Sequence, residues 1–226
     1  MKKVILALTI FFIFNNSYAK CRFCKYMTAD AIGALGGAGL GPWGAAGGAL
    51  LGSIYDLQSD PLIVNPGNSG NENHWVVTNS NNKFDYIGTI HNQYMDILLT
   101  DFKSYDEIFL EAFKQRFGAL NDETKKINYD ELSNTIIKIS NSNSSNEIAA
   151  NYINSQLDNK NLKNEFIELF NKVEKVENAA ELIDVIIMYE NRIILREDLS
   201  KSDELKLSAF FTVYRNSGNY WYHQLK

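Results

Sequence analysis

The residues that could carry out acid–base or metal chemistry are few in this chain and widely separated. The three histidines are His74, His91 and His223, and no two of them have the spacing of ligands on one helix face or one strand. The sequence contains neither a G-x-S-x-G nucleophile elbow nor a G-x-x-x-x-G-K-[ST] phosphate loop. The sequence therefore predicts a protein that is not an enzyme and that binds neither a metal ion nor a small-molecule cofactor.

His91 and Asn92 form the one candidate ligand pair. A helix over this region would place His91 on the same face as Ile87 and other apolar residues, which is typical of a histidine at the edge of a core. A catalytic histidine needs a group that orients its ring, and Glu190 or Tyr220 could supply one in three dimensions. The pattern favours a structural role for His91 and leaves a ligand or catalytic role open.

The two cysteines, Cys21 and Cys24, have C-x-x-C spacing. Neither a βαβ context, which a redox motif needs, nor a second cysteine pair, which a zinc site needs, accompanies them. We therefore expect a local disulfide in an oxidising compartment. Lys20, Arg22 and Lys25 surround the pair, and this basic arm in an otherwise acidic chain suits contact with anionic lipid headgroups.

Glycine is concentrated in one uncharged segment, residues 31–55, where nine of the 14 glycines lie between Gly33 and Gly52. At a spacing of four, its small residues form continuous rows on a helix, and such rows let a second helix approach closely. The candidate membrane-contacting or helix-packing residues are Gly33, Gly36, Gly37, Gly41, Gly44, Gly48, Gly52 and Trp43.

The same composition argues against an isolated helix in water. Each glycine costs about 0.8–1 kcal/mol relative to alanine in a helix, and Pro42 interrupts the hydrogen-bond ladder. Two arrangements remain. In one, the segment packs in lipid or against other helices, and in the other it forms two short helices joined at Gly41–Pro42.

Residues 21–57 resemble the mature core of class II, two-peptide bacteriocins, which are small glycine-zipper peptides. The resemblance lies in the glycine-rich composition after a short basic start. It implies association with membranes, either with lipid or through self-association, and an antibacterial action by making the target membrane leak.

The first 19 residues have the three-part pattern of a secretory signal. Two lysines precede an apolar run from Val4 to Phe14, and Ser17 and Ala19 supply the small residues of a cleavage site. The sequence therefore predicts export after cleavage near Ala19, to the periplasm, the cell surface or the extracellular medium. A formal net charge of −5 argues against a nucleic-acid partner.

Four segments follow from these patterns. They are a signal peptide at 1–19, the basic arm with the glycine-rich segment at 20–57, a linker at 58–83 rich in turn residues, and an all-helical domain at 84–226. The last segment has no proline and repeats apolar residues at helical spacing. We expect an all-α fold, a bundle of six or seven helices preceded by the glycine-rich helical segment or hairpin.

Two motifs in the last segment resemble a family of secreted helical proteins in Bacteroidota. An early IG..HN..LD motif matches Ile87, Gly88, His91, Asn92 and Asp96, with Met95 in place of leucine. A late segment ending in S..YW matches Glu190, Leu199, Ser200, Glu204, Leu207, Ala209, Ser217, Tyr220 and Trp221. The resemblance implies secretion and a helical fold, and it assigns no chemistry.

Together these patterns predict a secreted, non-enzymatic glycine-zipper protein that associates with membranes or with itself, in the sharper form a bacteriocin-like factor. The alternative is a periplasmic or surface helical protein, with a binding or structural role, whose glycine-rich segment is packed internally.

Overall fold

A computed structural model describes residues 21, 23–59, 76–100, 129–141 and 145–224. The predicted signal peptide, the greater part of the predicted linker and residues 101–128 of the predicted helical domain lie outside the described residues. The described residues form α1 (Cys24–Gly37), a 3₁₀ turn (Ala38–Leu40), α2 (Pro42–Ser59), α3 (Tyr86–Thr100), α4 (Tyr129–Asn141), α5 (Ser145–Gln156), α6 (Lys163–Val173), α7 (Ala179–Ile194) and α8 (Lys201–Gln224). No strand occurs in these ranges, and the predicted all-α class is confirmed.

The glycine-rich segment forms a hairpin, α1 and α2 with the 3₁₀ turn between them. Gly41 ends the turn with a φ of 82°, a left-handed conformation that glycine adopts without strain. Pro42 follows as the first residue of α2, where its missing N–H costs no hydrogen bond. The segment thus adopts the second of the two arrangements considered, two short helices joined at Gly41–Pro42.

Glycines set the distance between the two helices of the hairpin. A Cβ built on Gly33 would fall onto the Gly48 carbonyl oxygen, and a Cβ on Gly37 would fall onto that of Gly44. A Cβ on Gly52 would lie 2.5 Å from the Ala29 carbonyl oxygen. Because the three pairs run in opposite directions along the chain, α1 and α2 are antiparallel with their backbones in direct contact.

The last helix, α8, lies at the centre of the molecule and packs against α1, α3 and α7. On one side, its aromatic residues meet those of α6 in stacked and edge-on pairs of Phe166, Phe170, Phe210, Phe211 and Tyr214. On the other side, small residues from the hairpin meet Ile87, Ala209 and Val213. The hairpin and the C-terminal helices therefore share one hydrophobic core.

Local signals fix where the late helices begin. The Asn178 side chain accepts a hydrogen bond of 2.9 Å from the Glu181 N–H at the start of α7, and the Ser200 hydroxyl accepts one of 3.0 Å from the Asp203 N–H ahead of α8.

Across the described ranges, every helix is too short or too polar to cross a bilayer.

Candidate functional site: two buried polar clusters

The first cluster brings together side chains from four helices and is named here the histidine cluster. Its residues are Asp30 from α1, Ser53 from α2, His91 and Asn92 from α3, and Ser217 and Trp221 from α8. All six side chains belong to buried residues, and Asp30, Ser53 and His91 are completely excluded from solvent. The hairpin is therefore held to the bundle by polar contacts as well as by its apolar faces.

The carboxyl group of Asp30 is the hub of this cluster. Its Oδ1 lies 2.6 Å from the Ser53 hydroxyl. Its Oδ2 accepts hydrogen bonds from the Ser217 hydroxyl at 2.5 Å and from the Trp221 indole N–H at 3.0 Å. A buried carboxyl group held by helices far apart in sequence ties those helices together, since each loses a partner when one moves away.

The ring of His91 is oriented by its neighbour on the same helix. Nδ1 lies 3.0 Å from the Asn92 Oδ1, and the Asn92 amide nitrogen donates to the Asn216 carbonyl at 3.0 Å. Nε2 lies 3.2 Å from the Ser53 Oγ and 3.6 Å from the Asp30 Oδ2. The orienting groups are thus Asn92, Ser53 and Asp30. Glu190, which the sequence suggested, lies elsewhere, bonded to Arg215.

Burial dominates the electrostatics of the cluster. Loss of hydration raises the pKa of Asp30, although His91 and the hydrogen bonds from Ser217, Ser53 and Trp221 oppose the rise. Burial also raises the pKa of Tyr220, and the nearby carboxylates of Asp96 and Asp30 add to the effect. Both groups are therefore biased toward their neutral forms.

The second cluster surrounds Arg215 and is named here the arginine cluster. The guanidinium Nε of Arg215 donates to Glu190 at 3.1 Å, and both residues are fully buried. Other guanidinium nitrogens donate to Asp85 and to the Val77 carbonyl. Asn82 completes the cluster by donating to Glu190 at 2.7 Å. The buried cation thus has two carboxylates and a carbonyl as acceptors, which offsets its loss of hydration.

Asn216 joins the arginine cluster to the histidine cluster. Its side chain accepts from the Val77 N–H at 2.9 Å and donates to the Val77 carbonyl at 3.2 Å, as a neighbouring strand would. Its backbone carbonyl accepts from Asn92 in the histidine cluster. Residues 76–83, the described part of the predicted linker, are therefore fixed to α8 by side chains, with Asn79 adding a bond to Asn191.

The structure places the predicted glycine positions in different environments. Gly33, Gly37, Gly44, Gly48 and Gly52 face the other helix of the hairpin, while Gly36 faces Leu132 and Tyr152 and Gly41 faces open space. Trp43, by contrast, lies at the hairpin tip with 55% of its surface exposed. Cys21 and Cys24 are joined by a disulfide.

The sequence interpretation found His91 and Asn92 but missed their partners. Asp30 is the last charged residue before the uncharged segment 31–55, and Arg215 stands alone among aromatic residues of the last helix. A single charge within an apolar stretch is a signal of burial with a partner. Each partner, however, comes from a distant segment, so its identity required the structure.

The distances from Ser53 to His91 and from His91 to Asn92 are those expected between a nucleophile, a base and an orienting group. Nevertheless, Ser53 and His91 are completely buried, and neither residue lines the cleft beside Ile194 and Glu204 or the cleft beside Asp158 and Asp203. Among the described residues, no group of three or more potential ligands could hold a metal ion. The arrangement can hold a proton at a buried position between helices.

Comparison with known proteins assigns no relative to this chain. No protein-family model, no curated protein and no solved structure matches it.

Proposed function

We propose that this is an exported, non-enzymatic helical protein with a binding or structural role outside the cytoplasm, in which the glycine-rich hairpin is part of the protein's own core. The observation that carries the proposal is the hairpin's internal packing, with glycine backbones in mutual contact and Asp30 bonded to Ser217 and Trp221 on α8. Export is supported by the pattern of residues 1–19, and an oxidising compartment by the disulfide.

The Asp30 carboxyl group argues against transfer of the whole hairpin into lipid. In the protein it has three hydrogen-bond donors, Ser53, Ser217 and Trp221. In a bilayer, α1 would carry this group without Ser217 and Trp221, and an acidic side chain at the centre of a membrane helix costs about 2.5–3.5 kcal/mol on insertion scales. The same transfer would expose the face of α8 that the hairpin covers.

A second candidate function is membrane association or self-association through the tip of the hairpin alone. The observation that favours it is the exposure of Trp43 beside the half-buried Leu40, with open space around Gly39 and Gly41. Tryptophan prefers the membrane–water interface, so this tip could dock without unpacking α1 from α8. A bacteriocin-like action would require more, namely release of the whole hairpin.

Liposomes separate these functions. Purified protein without residues 1–19 is added to dye-loaded vesicles of phosphatidylglycerol and phosphatidylcholine, and to vesicles of phosphatidylcholine alone. We expect neither dye leakage nor sedimentation with either vesicle. Sedimentation without leakage that is lost in Trp43→Ser would establish tip docking. Leakage of dye would overturn the proposal and favour the bacteriocin-like function.

A further inference from the structure

The hydrogen bonds of the histidine cluster determine how many protons it holds. The Asn92 amide nitrogen donates to the Asn216 carbonyl, so its oxygen is the atom that faces His91 Nδ1. Two acceptors at 3.0 Å would repel each other, and Nδ1 must therefore carry a hydrogen. The other ring nitrogen, Nε2, faces Ser53, and it can carry a hydrogen or accept one.

Ser53 has one hydroxyl hydrogen for two neighbours, the Asp30 Oδ1 at 2.6 Å and the His91 Nε2 at 3.2 Å. If the hydroxyl donates to Asp30, Nε2 must carry a hydrogen and donate to the Ser53 oxygen. If the hydroxyl donates to His91, Oδ1 must carry a hydrogen and donate to the Ser53 oxygen. In both arrangements the pair of Asp30 and His91 holds a single titratable proton, and a concerted shift through Ser53 interconverts the two.

If the pair of Asp30 and His91 held no titratable proton, or two, a contact of the cluster would be left unsatisfied. Without that proton, Ser53 faces two acceptors with one hydrogen and a carboxylate charge stays buried. With a second proton, both neighbours donate to Ser53 and a histidinium charge stays buried without a counter-ion. Burying an unpaired charge is costly, so the single-proton form is the one that suits the packed cluster.

We propose that Asp30 and His91 share one proton through the Ser53 hydroxyl, and that this proton is a pH-sensitive latch that holds the hairpin to α3 and α8. The inference goes beyond the proposed function and does not depend on it. The raised pKa of Asp30 supports the arrangement in which the proton lies on the carboxyl group. That arrangement has no buried charge at all.

Among the described residues, few polar or titratable side chains face the pair of Asp30 and His91. From α8 come Ser217, Trp221 and Tyr220, whose pKa is raised and which therefore stays neutral. From α3 comes Asp96, which lies near Tyr220. From α2 the facing group is Ser53, within a segment that has no charged residue from 31 to 55.

The direction of the pH dependence follows from counting protons in the two states. In the unfolded chain the pKa of the Asp30 carboxyl group is near its ordinary value of 3.8, and the pKa of an exposed histidine is about 6.5. Between these values both states hold one proton, and this cluster makes no contribution to pH dependence. Above about pH 6.5 the unfolded chain gives up its proton while the folded chain retains it. The equilibrium constant for unfolding therefore rises by up to about tenfold per pH unit, and stability falls.

The test compares urea unfolding, and hydrogen exchange of Cys24–Gly37, at about pH 6 and pH 8.5. The expected result is a loss of hairpin stability at the higher pH in the wild type. Asp30→Asn should fold and lose this decline, because its amide N–H donates to Ser53 as the protonated carboxyl group does.

Two controls isolate the shared proton from ordinary packing. Ser217→Ala removes a donor to the same carboxyl group but leaves the Ser53 relay, so it should lower stability at both pH values and keep the decline. His223→Gln changes the exposed histidine of α8 and should behave as the wild type. If His223→Gln removes the decline, or if Asp30→Asn retains it, the latch is wrong.

A spectroscopic measurement stands independently of variant stability. With ¹⁵N-histidine labelling, the His91 Nδ1 should carry a proton at every pH at which the protein is folded. A neutral His91 with the proton on Nε2 and a bare Nδ1 would contradict the shared-proton arrangement even if every variant unfolded.

Discussion

At the scale of single residues, the arginine cluster shows how a buried cation is accommodated. Arg215 has no exposed surface, and its planar guanidinium reaches Glu190, Asp85 and the Val77 carbonyl at once. An ammonium group of the same charge could not span these acceptors, because it lacks the fork geometry of guanidinium. The fit therefore depends on the shape of the side chain as well as on its charge.

We predict that Arg215→Lys lowers the free energy of unfolding by about 3 kcal/mol, because the shorter donor set leaves the buried Glu190 carboxylate with Asn82 alone or leaves Asp85 and the Val77 carbonyl without the cation. Chemical denaturation of the variant measures this loss. Arg196→Lys is the matched control, since Arg196 forms its ion pairs with Glu165 and Asp198 near the surface and its replacement should cost less than about 1 kcal/mol. Equal effects of the two substitutions would show that burial of Arg215 does not matter.

At the scale of elements, the glycine hairpin depends on the lack of side chains at particular positions. Gly48 and Gly33 meet backbone to backbone, so a methyl group on either one must separate the helices. Gly39 lies in the 3₁₀ turn with nothing within 4 Å of a built Cβ. Gly48 therefore has no room for a side chain, whereas Gly39 has room for one.

Alanine substitutions test this difference. Gly48→Ala should cost about 3 kcal/mol or more, since the added Cβ has rigid backbone in its way. Gly39→Ala should leave stability unchanged or raise it by about 0.4–1 kcal/mol, because alanine restricts the unfolded chain. Thermal melts followed by circular dichroism compare the two. A Gly48→Ala variant as stable as the wild type would refute close packing of α1 against α2.

The sequence predicts elements of this fold better than it predicts their partners. The positions of glycine and proline gave a break at Gly41–Pro42 as one of two arrangements. Helical periodicity without proline predicted helices over 84–226, where the described residues form α3 to α8. Periodicity also placed His91 on an inward face. It could not indicate that Asp30 and Ser53 lie beside His91, because those contacts depend on how three separate helices cross.

At the scale of the whole molecule, the hairpin and the C-terminal helices share one core. Met27 of α1 lies next to Gly218 of α8, and the rings of Tyr26 and Trp221 are 5.3 Å apart. Residues of the predicted glycine segment at 20–57 and of the predicted helical domain at 84–226 therefore belong to the same cluster of buried residues.

Removal of residues 20–59 tests whether the C-terminal helices are stable alone. We expect the remaining chain to retain much of its helical far-ultraviolet signal but to lose its near-ultraviolet signal and to bind the dye ANS, as in a molten globule. These changes follow from exposure of the α8 face that carries Trp221. A cooperative thermal transition and no ANS binding would instead identify residues 84–226 as an independent domain.

The distance along the chain between Asp30 and its partners on α8 limits when the core of this protein can form. Ser217 and Trp221 follow Asp30 by 187 and 191 residues, so the chain that separates them must be synthesised before these partners exist. Contacts so distant in sequence form slowly, since a long loop must close first. A nascent chain therefore stays without its completed core until α8 emerges, and this delay is compatible with the proposed export.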